Sequence, residues 1–328
     1  MATALLAITV LVNVGLAGMV GSCASIVWLN GSRSDWAKTS LVRSHYLLRT
    51  ATVLTLASTL FMLWLQAAAM AEAPLLEAWN VIPAMLETTH FGHAWLVGFV
   101  AMLGVLGKLA LPLAAVTACR TSFVMPAILI FAYSRSAVSH AGIQGWVQAA
   151  VWVDMAHLLL VSLWSGSVFI AGFAALAHAI GPSPVARLDA SRWIRALSKT
   201  AAWTLVGIVA TGILNVVRGL GAVELLFRGG CAPDRFDRFG SGISDHFAGP
   251  YDNALLVKVI LVGIAALLGA FNRFKVMPRL ILALQVAQDN VDAHQRTFLL
   301  VLRVEATILL AVLVAAGVLS ASAPPGTG

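Results

Sequence analysis

The sequence predicts an all-α bundle embedded in a lipid bilayer, and three observations carry that prediction. Of 328 residues, 60% are hydrophobic and only 11% charged, with a mean hydropathy of +0.90, a balance that no soluble domain of this size keeps in solution. About eight runs reach the roughly 20 apolar residues that a helix needs to cross a bilayer; they fall at 4–29, 46–71, 94–119, 122–140, 147–178, 200–226, 252–272 and 297–321. These runs lack strand alternation and are far longer than barrel strands, so helices are the only way to satisfy their backbone in lipid. The expected architecture is one integral membrane domain over residues 1–328, a polytopic helical bundle with an external loop at 228–250.

The net charge of +7 would point to nucleic acid in a soluble chain; here its placement reports topology, and no nucleic-acid partner is expected. Arg33, Lys38 and Arg43 follow the first run, Arg120 separates the third and fourth, Arg187, Arg192, Arg195 and Lys199 precede the sixth, and Arg273, Lys275, Arg279 and Arg296 separate the seventh and eighth. Those loops are expected in the cytoplasm. The segment with Glu72, Glu77 and Glu87 has no Lys or Arg, which puts it outside together with both termini, in the periplasm. The first run has no basic residue before it and no small-residue cleavage site, so it is read as a retained helix. Cys23, Cys119 and Cys231 are spread over two sides of the membrane and imply no intramolecular disulfide.

Taken in order, the first run carries Gly15, Ala17, Gly18, Gly21 and Ser22, small residues that let helices approach closely. The second is expected to start near His45, with His45 a solvated loop residue. Glu72 to Thr89 holds two prolines among apolar residues and reads as a short interfacial helix or cap. His90 and His93 are three apart, a spacing that puts both imidazoles on one helix face where a metal can use them. Copper accepts imidazole, and as Cu(I) also thioether, which makes Met70 and Met85 auxiliary candidates.

The fourth run reaches Ser139-His140 with Arg135 in its outer half, and the uncharged loop after it is short, so the fourth and fifth runs are antiparallel neighbours. Asp154 and His157 then share one face of the fifth, about 10–15 Å below its outer end. A carboxylate at that depth is costly and by default functional. With His140 the pair forms a candidate metal or proton path. Trp164-Ser165-Gly166-Ser167 reads as a tight-packing stretch, the run ends near His178, and Pro182 and Pro184 form a connector whose basic residues meet anionic lipid. The sixth run carries Gly207, Thr211 and Gly212. Arg228 to Pro250, with Cys231, Asp234, Asp237, Asp245 and His246, reads first as a solvated loop and second as a partner-docking or metal-collecting one. Lys258 in the seventh run lies at a depth comparable to Asp154, so Lys258 or Arg135 is an ion-pair partner that competes with a metal for that carboxylate, or gates it. Arg303 and Glu305 in the eighth are expected to pair with each other, with Lys108 or with a departing ion, which makes Glu305 a further gating or ion-pair candidate.

No P-loop is present, and no nucleophile, base and orienting group occur together, so no enzyme is expected. A haem-binding electron carrier needs two histidines at similar depth on different helices, which His140 at a helix end and the deeper His157 match poorly.

Several of these residues together resemble the copper resistance protein D family of bacterial inner-membrane proteins. They are Thr89-x-Phe91-Gly92-x-Ala94-Trp95, Ser139-His140-Ala141, Asp154-x2-His157-x6-Trp164-x-Gly166, Gly207-x4-Gly212, Tyr251-x3-Leu255-Leu256-x-Lys258, Asn272-Arg273, Pro278 and Arg303-x-Glu305. The resemblance implies a multi-pass inner-membrane protein that takes up copper at its periplasmic face, commonly alongside a small periplasmic copper-binding C protein. It carries over His140, Asp154 and His157 as site residues. Departures are His90 and His93, which read as an added entry site, Gly166-Ser167 where the family has two glycines, and a long 228–250 loop. A non-transporting copper sensor or partner protein is the remaining alternative.

Overall fold

The computed structural model describes residues 2–110, 119–139, 148–219, 250–286 and 290–321. Its helices are α1 (Ala2–Trp28), α2 (Asp35–Met70), α3 (Ile82–Thr88), α4 (His90–Ala110), α5 (Cys119–Ala137), α6 (Ala149–Ile170), α7 (Pro184–Gly219), α8 (Pro250–Phe271), α9 (Met277–Val286) and α10 (Val291–Ala321). There is no strand among the described residues. Within the described residues, each expected run coincides with a helix over most of its length. Among them seven helical stretches are long and apolar enough to cross a bilayer, one fewer than the eight expected runs, since the apolar part of α5 is the shorter Phe123–Ala137.

Several helices start earlier than the apolar runs suggest, because caps rather than hydropathy set their ends. Ser34 Oγ accepts from the Ala37 N–H at 3.2 Å and Asp35 stands in the first turn, so α2 begins at Asp35. His45 is therefore not in a loop as expected: it is 8% exposed inside α2, with Nδ1 2.9 Å from the Leu41 carbonyl. Likewise Pro184 opens α7 rather than ending a connector, a position where its missing N–H costs nothing. The expected cap over 72–89 is there as a 3-10 turn at Ala78–Asn80 followed by α3, packed through Ala78 and Met85 onto Leu63, Ala67 and Trp95.

Two π-helical segments interrupt the ladder. Ala171–Ala175 extends α6, and Asn272–Val276 joins α8 to α9. Pro278 cannot donate to the carbonyl four residues back, Phe274, which lies inside the second of these segments.

Close helix crossings fix the register. Gly15 and Gly18 of α1 pack on Thr55 and Ala51 of α2, Gly98 and Gly104 of α4 on Ser134 and Phe123 of α5, and Gly207 of α7 on Leu160 of α6. At the tightest point, where α1 crosses α6, a Cβ on Gly21 would run into the Gly166 backbone, and one on Gly166 into the Ala17 carbonyl. One apolar core lies among α1, α2, α4 and α5 around Met19, Met102 and Phe131; the other lies among α6 to α10 and the start of α2, around Trp193, Leu176, Leu280 and Trp36. This alternating order collects the Arg- and Lys-rich segments at one end of the bundle, hereafter the basic end.

Candidate metal site

The opposite end holds the ionisable side chains singled out above. Thr89 Oγ1 accepts from the Gly92 N–H at 2.9 Å, an N-cap that starts α4 at His90 and sets both His90 and His93 in its first turn. Both are exposed. The His93 Nε2 is turned back to the Glu87 carbonyl of α3, 3.0 Å away. His140 lies outside the described residues, as does the 220–249 stretch with Cys231, Asp234, Asp237, Asp245 and His246.

Asp154 and His157 fall one and two turns into α6, about 8 and 12 Å along its axis at 1.5 Å per residue. Ser139, just past the end of α5, holds its hydroxyl 2.8 Å from the Ser136 carbonyl and 3.1 Å from Asp154 Oδ2, so its one proton is shared between two acceptors. His157 Nδ1 is 2.9 Å from Thr211 Oγ1 of α7. The Thr211 hydroxyl also lies 2.7 Å from the Gly207 carbonyl and 3.2 Å from that of Ile208; with its proton given to either carbonyl, Nδ1 carries the imidazole hydrogen and Nε2 is the nitrogen with the lone pair, the form in which histidine binds a metal. Gly212 faces the same ring, where a Cβ would come within 3.7 Å of Cε1.

The expected ion pairs to Asp154 do not form. Arg135 and Lys258 both lie within electrostatic range of its carboxylate, yet among the described residues the one ion pair within 4.0 Å is Lys38 with Asp35 at the basic end. Arg135 instead donates to Met62 Sδ at 3.2 Å. Glu305 does not pair with Arg303 or Lys108 either. Arg303 donates Nε to the Gly172 carbonyl at 3.1 Å and lies over the Phe173 ring, while Glu305 Oε1 accepts from Trp164 Nε1 at 3.2 Å. A bent π segment explains this: it presents carbonyls to Arg303 that a regular helix would have used itself.

The structure therefore groups Asp154 with His157 and keeps His90 and His93 on a separate helix at the same end, with α5 packed on both α4 and α6. No cluster of three or more His, Cys, Asp or Glu forms among the described residues. Three partners escaped the sequence reading: Ser139 for Asp154, Thr211 for His157 and Trp164 for Glu305. Each stood in a stretch read as motif or packing, and only the antiparallel pairing of α5, α6, α7 and α10 brings them to the ionisable groups.

Residues 1–150 match the family model described as copper resistance protein D-like, N-terminal domain, and residues 238–319 match that described as copper resistance protein D. His90, His93, His140, Lys258 and Glu305 lie inside the matched ranges; Asp154 and His157 lie between them. No curated protein and no solved structure matches the chain.

Proposed function

This chain belongs to the copper resistance protein D family and is a copper-resistance protein of the bacterial inner membrane, with multiple spanning helices; from that premise we propose that it imports copper across that membrane. Copper is its cargo. His90 and His93 receive the ion at the periplasmic face, His140 passes it on, and Asp154 with His157 draws it into the bundle. The whole chain, 1–328, acts as one membrane unit with both termini in the periplasm, and the 228–250 loop and α4 entry face a periplasmic copper-binding C protein. Arg135 and Lys258 gate the step, since each sits in the field of Asp154 without neutralising it. The role is transport, with no catalytic residue.

The observation that supports this reading most is that Asp154 and His157, three residues apart on α6, share one helix face, with the His157 Nδ1 side held against Thr211; two donors on one face give a passing cation ligands without a closed cage. A transit site needs that economy, because an ion must leave as readily as it enters. Copper uptake into proteoliposomes, with metal analysis of the purified protein, tests it. His157→Ala is expected to cut uptake by at least about tenfold. Wild-type protein that holds no copper, or uptake unaltered in a His140→Ala, His157→Ala double variant, overturns it; copper binding without flux overturns import in favour of a sensor.

A further inference from the structure

Deeper in the bundle stands an acid to which the steps above give no role. Glu305 is 2% exposed in α10. Trp164 Nε1 of α6 donates to its Oε1, and Gly269 of α8 lets a third backbone close in: a Cβ there would sit 3.2 Å from Oε1 and 3.9 Å from Oε2. Gly269 is thus the residue that makes room for the carboxyl.

The charged groups on the elements around it are engaged elsewhere or distant. On α10 itself Arg303 is turned to Gly172, and Asp292, His294 and Arg296 lie in the first turns at the basic end. In the π segment after α8, Arg273 donates to the Ser198 carbonyl at 2.7 Å and Lys275 is exposed, as is Arg279 of α9. Lys258 is about three turns from Gly269 along α8. The remaining neighbour, α1, brings only the thiol of Cys23. No cation among the described residues lies within 4.0 Å of Glu305, so an ionised carboxylate there would have one indole N–H to offset its burial, and such groups shed their charge instead.

Position adds to this. His157 and Trp164 are seven apart on α6, two turns along one face. Glu305, held by Trp164, is thus the next ionisable group below the Asp154–His157 pair, about 10 Å deeper.

We propose that Glu305 is a proton-binding site whose carboxyl is protonated in the resting bundle and releases that proton as copper passes. The O–H bond breaks, the proton leaves to water, and the carboxylate left behind is balanced by the arriving cation; uptake of a proton from water restores the acid once the ion has gone. The coupling to copper rests on the import reading above, whereas the proton site does not.

Infrared difference spectroscopy of the full chain in lipid, titrated with acid in the absence of copper, tests the site directly. The wild type is expected to show the carbonyl band of a buried protonated acid, and Glu305→Gln, which keeps an acceptor for Trp164, to lose it. A wild type without that band, or a band that survives in Glu305→Gln, overturns the proposal. Glu305→Asp serves where the glutamine variant fails to fold, with a shifted band expected and an unmoved one counting against the site. In proteoliposomes, an imposed pH difference is expected to change wild-type copper uptake severalfold and leave that of Glu305→Gln flat; equal responses overturn the coupling. A band lost in Glu305→Gln from a protein that moves no copper upholds the proton site and sinks import alone.

Discussion

The two ends of the bundle are built differently. At the basic end, polar side chains tie together segments far apart in sequence. Asp189 of α7 accepts the backbone N–H groups of Arg33 and Ser34 at 3.2 and 3.1 Å, Arg43 reaches the Ala174 carbonyl and His178, and Gln295 donates to the Leu176 and His178 carbonyls at 2.9 and 2.8 Å. Trp28, Trp36 and Trp193 interlock edge to face among them. At the other end the bonds are more local: Ser139 to Asp154, His157 to Thr211, Trp95 to the Thr59 carbonyl and Trp64 to the Leu75 carbonyl. The difference teaches where the two apolar cores are pinned to each other. Among the described residues, the side-chain ties of longest sequence separation between the α1–α5 half and the α6–α10 half lie at the basic end, while Ser139 to Asp154 joins the halves beside the candidate ligands.

The largest effect expected is at the α1–α6 crossing, toward the basic end of both helices. A side chain on Gly166 meets the Ala17 carbonyl, a backbone atom that cannot step aside, so Gly166→Leu must separate the two helices. Overpacking of this kind costs about 3 kcal/mol or more, and we expect little monodisperse protein after detergent extraction. Gly263 of α8 has nothing within 4 Å of its Cβ position; Gly263→Leu should leave thermal stability within about 0.5 kcal/mol of wild type. Equal losses in the two variants would show that the crossing does not hold the halves together.

Next in size is a paired test of the two ends. Asp189 is 4% exposed and serves two backbone N–H groups, that of Ser34 buried and that of Arg33 partly so, so Asp189→Ala should cost about 1–3 kcal/mol. Ser139→Ala removes a single donor from Asp154 at the opposite end and should cost about 1 kcal/mol or less. Thermal unfolding of both variants in the same detergent checks the order, and a reversed order would break the contrast between the ends.

Much of this bundle was legible in the sequence, because in lipid the backbone leaves only helices and the runs of apolar residues mark them. The same logic found Asp154 and His157, since an acid in a span is costly enough to stand out. What hydropathy could not carry was polar caps and long-range partners. Ser34 starts α2 well ahead of its apolar run, which is why His45 falls inside a helix and not in a solvated loop, and nothing in the basic 187–199 segment marks Asp189 as the residue that binds the 33–34 turn. The pairing of Arg303 with Glu305 looked sound at a spacing of two, but residues two apart on a helix do not face each other, and the π segment at Ala171–Ala175 drew the arginine away.

The smallest effect expected is a pH dependence of stability at the basic end. His178 lies between the spans, stacked on Trp36 with ring centroids 6.2 Å apart. Its Nδ1 accepts from Arg43 Nη1 at 3.2 Å, and its Nε2 faces the Trp36 carbonyl at 3.4 Å. Both contacts suit the neutral ring with hydrogen on Nε2; a proton on Nδ1 would meet a guanidinium. Burial first, and then the Arg43 charge, hold its pKa below the usual 6.5, against the pull of the Trp36 and Ala174 carbonyls. The folded protein therefore binds this proton less well than the unfolded chain. The resulting stability is present in full above about pH 6.5 and is lost as the pH falls through the lowered folded value. Because the ring is half exposed, solvent screening keeps the effect under about 1 kcal/mol. His178→Phe keeps the stack on Trp36 without a titrating group, so its melting temperature should fall less than that of the wild type between about pH 7 and pH 5. Arg43→Gln should fall between the two, since it keeps a donor for Nδ1 and removes the charge. If the wild type and His178→Phe lose stability in parallel, the acid sensitivity lies elsewhere, and the basic end is held by Asp189, Gln295 and the tryptophans without His178.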